Sequence, residues 1–176
     1  MRDRGLRSGP SRWRVSLWGS VLLTALVPTL VSLRADAGDG PAAVATAAGS
    51  GIIHMEVDLQ ASPERVYQTL LDAKGFAAAT GGLPTEIASE VGGAFSCFGG
   101  QIVGRHVELV PTRRIVQAWR VAAWPEGLYS IAKFELKPQG TGTRVLFDHT
   151  GFPPEQKEHL AAGWEDHYWK GLRTLR

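Results

Sequence analysis

Ile53, Met55, Val57 and Leu59 alternate with His54, Glu56, Asp58 and Gln60, the period-two pattern of a strand with one buried and one wet face. Ser62-Pro63-Glu64 then predicts a helix start: a hydroxyl cap, a proline where no backbone donor is needed, and an acid in the first turn. Val66, Tyr67, Leu70 and Leu71 supply an apolar stripe; Lys74-Gly75 reads as its break, and Phe76–Thr80 as a second short helical turn before Gly81-Gly82. From Pro84 the period returns to two. Strands are expected near Thr85–Glu90, Ala94–Phe98, Ile102–Val110, Ile115–Val121, Tyr129–Lys137 and Arg144–Thr150. The short connections Gly99-Gly100, Pro111-Thr112 and Gln139–Gly142 favour antiparallel hairpins.

Pro153-Pro154 launches a closing helix whose apolar stripe, Leu160, Trp164, Tyr168 (or His167), Leu172 and Leu175, recurs at three and four residues. A helix of about 21 residues spans ~32 Å and a strand of about eight residues spans ~27 Å, so this helix is long enough to cross the sheet. The expected fold is α+β: a curved antiparallel sheet wrapped around a long C-terminal helix, each burying its apolar face on the other. Burial of Trp164 contributes at most about 4–6 kcal/mol by area. Gly163 and Gly171 each cost the helix about 1 kcal/mol, which close approach to a neighbour or space left for a cavity would justify.

Charge divides the chain. Residues 1–37 hold six arginines (Arg2, Arg4, Arg7, Arg12, Arg14, Arg34) against Asp3 and Asp36, and removing them from 19 basic and 17 acidic residues leaves 13 against 15. The net charge of +2 therefore belongs to the leader, and the domain lacks the basic footprint that nucleic-acid binding requires. Arginines leading into the apolar run Val15–Leu33, followed by Ala35-Asp36-Ala37, predict a signal peptide over 1–37 and an exported (periplasmic or secreted) protein. A membrane anchor that stays uncleaved is the alternative, because the run approaches spanning length. Gly38–Gly51, rich in Ala, Gly and Thr, reads as a linker, so the folded domain is 52–176.

Candidate chemistry is sparse. Cys97 is the only cysteine, which removes intramolecular disulfides and multi-cysteine zinc sites, and alternation places it beside Phe95 as a small buried group. His159 and His167 lie eight residues apart, about 12 Å along a helix, too far for one metal ion. No nucleophile elbow, phosphate loop or cofactor-binding motif is present, and Gly92-Gly93 and Gly99-Gly100 read as turns. His149 shares a strand face with Val145 and Phe147, pointing inward near a strand end. There it would orient a ligand, act as a general base, or fix the His149–Pro153 turn. Trp119, Arg120, Trp124 and Pro125 form either a protein-docking patch or an architectural cluster with one tryptophan in the core.

The block Glu90-Val-Gly-Gly-x-Phe95, Gly100, Gly104, Arg114-Ile-Val, Trp119-Arg120-x-x-x-Trp124-Pro125, Ser130, Gly142-Thr143, His149-x-Gly-Phe-Pro153 and Gly163-Trp164-x-x-x-Tyr168 resembles the family named for the activator of the heat-shock-protein-90 ATPase. The resemblance is to bacterial proteins related to that co-chaperone's carboxy-terminal domain. It implies the helix-grip fold of the START-like (SRPBCC, Bet v 1-like) superfamily, built around an apolar cavity. It also implies two unrelated roles: holding a small apolar molecule, or docking a chaperone. A third, cyclase- or dehydrase-like catalysis, occurs in the superfamily, for which Arg120, Tyr67 and Tyr168 are the residues available. An exported domain meets little ATP, so the expected function is non-enzymatic binding of a small apolar ligand. The expected lining is Val57, Leu70, Phe95, Phe134, Phe147 and Trp164, with His149 or Tyr168 as the polar group.

Overall fold

A computed structural model describes residues 50–176. The expected leader and nearly all of the linker lie outside the described residues. Strand β1 (Gly51–Leu59) leads into helices α1 (Pro63–Leu71) and α2 (Ala73–Ala79). Six strands follow: β2 (Glu86–Ile87), β3 (Ala94–Cys97), β4 (Ile102–Val110), β5 (Arg114–Val121), β6 (Ser130–Gln139) and β7 (Gly142–Phe152). All pair antiparallel in one curved sheet of order β1-β7-β6-β5-β4-β3-β2. The first and last strands of the chain's sheet thus lie side by side, and the hairpins run outward from β7 to the two-residue edge strand β2.

Local chemistry sets the boundaries. The Ser62 side chain caps α1 by accepting from the Arg65 N–H, with Pro63 at the first helical position. The break between α1 and α2 is Asp72, not Lys74-Gly75. Asp72 is extended, ends α1, and accepts from the Gly75 N–H, so Lys74 and Gly75 fall inside α2's first turn. An aspartate that caps a new helix outweighs a glycine that merely weakens one.

The closing helix runs from Pro154 to Leu172 in four continuous pieces. A 3-10 turn (Pro154–Gln156) leads into α3 (Lys157–Gly163), a π-helical segment (Trp164–Trp169) and α4 (Lys170–Leu172). The Lys170 N–H bonds back five residues to the Glu165 carbonyl. Uniform α-helical spacing brings Trp164, Tyr168 and Leu172 inward and turns Trp169 aside. The wider π turn brings Trp164 and Trp169, five apart, onto the same inner side, and Trp169 is fully buried. Its indole N–H reaches the Met55 thioether at 3.2 Å.

The core fills the sheet's concave face. Trp164 is its hub, with ring centroids at 4.4 Å from Phe147, 4.1 Å from Tyr168, 5.5 Å from Trp119 and 5.9 Å from Phe134. The convex face is polar, where Arg144 holds Asp58 through two bonds of 2.8 and 3.0 Å and Asp148 bridges His54 and Lys133.

The two helix glycines serve different ends. A methyl group on Gly171 would collide with the Ala79 carbonyl, so this glycine lets the helix press against the end of α2. A methyl on Gly163 meets nothing within 4 Å. Gly163→Ala should therefore stabilise the fold by about 0.5–1 kcal/mol, and Gly171→Ala should destabilise it by about 1–3 kcal/mol. Urea denaturation of both variants checks this; equal signs would contradict the assignment.

Candidate functional site

Trp164 has one polar atom, and burying it unpaired would cost about 1–3 kcal/mol. Its Nε1–H donates to His149 Nδ1 at 2.9 Å. Because Nδ1 accepts, the ring proton sits on Nε2, which faces Ser130 Oγ at 2.7 Å; Ser130 donates its own hydrogen to the Trp119 carbonyl at 2.9 Å. Every donor in this buried chain has one acceptor, and its direction is fixed from the closing helix through β7 and β6 to β5. His149 is fully buried and its pKa is pushed down to about 3 by desolvation. A second proton would set two N–H groups against each other at Trp164. With both nitrogens engaged and no contact with solvent, His149 does not function as a general base near neutral pH.

The remaining buried titratable groups are equally inert. Burial pushes the Cys97 thiol up to about 12 and raises the Tyr168 phenol, so both stay protonated. His106 is buried beside Phe95, its pKa lowered by burial, with no hydrogen-bond partner for either ring nitrogen among the described residues. Among these residues no group of three or more His, Cys, Asp or Glu side chains gathers to hold a metal ion.

Two hollows are large enough for a ligand: one of about 660 Å³ with charged walls that include Arg113, Arg114, Glu135 and Lys137, and one beside the hub lined by aromatic rings. A groove of about 410 Å³ opens between the closing helix and the β3–β4–β5 end of the sheet. Phe98, Ile102, Trp119 and Val121 line it from the sheet, and Leu160, Gly163, Trp164 and Tyr168 from the helix. Gln101, His159, Asp166 and His167 contribute its polar groups. The empty space over Gly163 is part of this groove, within the range of small-molecule pockets. Phe98 reaches it through an unusual backbone: φ is 56°, followed by left-handed Gly99 and Gly100. A bulky residue is strained in this conformation, and the turn swings the Phe98 ring off the strand's alternation and onto Phe76 and Tyr168.

The expected lining residues divide three ways. Trp164 and Tyr168 line the groove. Leu70, Phe95 and Phe134, again with Tyr168, surround a space of only about 10 Å³, of order one water molecule. Val57, Phe147 and His149 are buried and border neither space. In the docking set, Trp119 is 2% exposed and faces Trp164, so it belongs to the core and the groove wall and not to an outer protein-docking patch. Arg120 turns back on its own connection, donating to the Ala122, Trp124 and Pro125 carbonyls and lying over the Tyr129 ring. Its guanidinium fastens the β5–β6 loop, leaving Trp124 half-buried and Pro125 exposed. Phe98, Gln101, Ile102, Val121, Leu160, Gly163 and the rim histidines are among the groove residues that sequence reasoning did not assign to a site. Only Gly163, an unexplained helix glycine, carried a signal.

Residues 60–175 match the family described as activator of Hsp90 ATPase homolog 1-like protein. The chain belongs to that family. It is 28% identical over 112 residues to the human activator of 90 kDa heat shock protein ATPase homolog 1, covering 64% of this chain and 33% of that protein. The chain thus spans about a third of the length of that relative. Among solved structures, an HSP90 activator from Plasmodium falciparum superposes with a TM-score of 0.66 at 23% identity, covering 70% of this chain and 94% of that one. A protein from Chromobacterium violaceum superposes at 0.58 with 31% identity, covering 70% and 95%. The helix-grip architecture is common to this family and to the START-like superfamily.

The buried chain predicts a pH signature. The unfolded chain's His149 takes up a proton as pH falls through 6.5, and the folded one only near 3, so protonation favours unfolding. The stability that neutral His149 supplies is full above pH 6.5 and is lost progressively on acidification toward 3. His149→Gln keeps a donor and an acceptor but does not titrate. Wild type is expected to start more stable, and the gap should narrow by up to ~1.4 kcal/mol per pH unit between about pH 5.5 and 3.5. Urea denaturation across that range measures it; a constant gap would mean that His149 is already protonated in the fold.

Proposed function

We propose that this domain is a non-enzymatic, exported binder of a small apolar molecule, held in the groove between the closing helix and the sheet. The observation that carries the reading is the groove itself: about 410 Å³ bordered by Phe98, Trp119, Trp164 and Tyr168, with open space above Gly163, beside an interior that is otherwise filled. His149, the polar residue best placed for acid–base work, is committed to the tryptophan chain, which favours binding over turnover. Export is supported by the arginines and apolar run of residues 1–33, and sequencing the N-terminus of the mature protein tests it.

Nile red, an uncharged solvatochromic dye, is a suitable first ligand. The full chain should bind it with blue-shifted emission, and Gly163→Leu, whose Cβ position is clear of every neighbour and whose side chain would occupy the groove, should weaken binding at least about 10-fold with the melting temperature preserved. Unchanged binding by a folded Gly163→Leu would sink the groove as the site.

Chaperone activation is the second reading, favoured by family membership and by the human relative's name. The relative is three times longer than the matched segment, and the docking surface here reduces to the Trp124-Pro125 loop that Arg120 fastens. Under the leading reading, adding the full chain to an Hsp90-type ATPase leaves its rate unchanged within a factor of about two. Strong stimulation, lost on Trp124→Ala, would establish the second reading instead.

A further inference from the structure

The groove's polar groups restrict what it can hold, and this inference rests on the groove being the binding site. None of the described residues lining it is lysine or arginine, and its one acidic residue is Asp166. A carboxylate or phosphate head group would leave water without gaining a cation and would meet that acid, a costly exchange at an apolar wall. The other polar side chains of its lining are Gln101, His159 and His167.

Tyr168 supplies the opposite preference. Its hydroxyl accepts the Trp119 indole N–H at 3.5 Å, while its own hydrogen has no acceptor among the described residues. The side chain is 6% exposed and borders both the groove and the small inner space, and burial keeps the phenol protonated. The groove is therefore bordered by a residue whose hydroxyl hydrogen has no acceptor among the described residues, and by no lysine or arginine. Its large flat neighbours, Phe98, Trp119 and Trp164, suit a planar conjugated body over a flexible chain.

We propose that the groove takes an uncharged, flat, conjugated molecule bearing an acceptor oxygen, a neutral ketone or ester, which receives the Tyr168 O–H hydrogen, and that it rejects anionic amphiphiles.

Three matched compounds test this on the full chain at pH 8: fluorenone, fluorene (the same body without the carbonyl) and fluorenone-4-carboxylate. Calorimetric titration should rank fluorenone tightest, with the carboxylate at least about 10-fold weaker. Tyr168→Phe should weaken fluorenone by about 3- to 10-fold, the worth of one hydrogen bond, and leave fluorene unchanged. Tyr168→Phe melting at the wild-type temperature while binding fluorenone as tightly as wild type, or while weakening fluorene and fluorenone equally, would overturn the donor assignment. Tighter binding of the carboxylate would overturn the charge argument while leaving the groove in place as a site. Binding of none of the three, nor of Nile red, would overturn the groove reading itself.

Discussion

The indole N–H of Trp164 has to be satisfied in the middle of an aromatic core, and the fold is arranged around that requirement. Trp164 sits where the closing helix meets β7, among Phe147, Tyr168, Phe134 and Trp119. Its hydrogen goes to His149, whose remaining proton goes to Ser130, whose proton goes to a backbone carbonyl of β5. The chain costs little because every member is paired, and it fixes the helix's rotation and height over the sheet more sharply than apolar contact does. A half-satisfied version would be worse than a purely apolar core.

Function follows from where this arrangement leaves room. The tryptophans fill the concavity beneath the helix, so the inner space shrinks to about 10 Å³ and the aromatic-lined groove lies toward α3 and the β3–β4 turn. Two backbone devices open that flank: a glycine in the helix with nothing above it, and a left-handed turn that redirects Phe98. The π segment beginning at Trp164 brings Trp169 to the core without taking Tyr168 from the groove. The residues that hold the helix down and those that face the groove overlap at Trp164, Tyr168 and Trp119, so occupancy and fold stability are coupled through the same rings.

The sheet was legible in the sequence because alternation is a local signal: β1, β4 and β5 begin and end within two residues of the positions where period and turn residues place them. The inward pointing of His149 was legible for the same reason. Its partners were not, since Ser130 and Trp164 are 19 and 15 residues away and reach it only through tertiary packing. Trp169 was hidden because a 3.6-residue period assigns it to the wrong side; only a helix that widens buries it. Phe98 was hidden because alternation places it on the outer face, and no neighbouring residue announces that its own φ is positive. Arg120 illustrates a different limit: a Trp-Arg/Trp-Pro string has the composition of an interface, and the same residues make a loop fastener once the carbonyls of Trp124 and Pro125 turn toward the guanidinium.

The constraint on which this account stands is the protonation state of one ring. Long-range proton–nitrogen NMR of a histidine-labelled sample, followed from pH 8 to pH 5, reads it directly. The account predicts that His149 keeps a protonated Nε2 and a bare, accepting Nδ1 throughout, with no titration. A His149 signal that titrates near 6, or that shows the proton on Nδ1, would mean that Trp164 is not bonded to it and that the helix is held by something else.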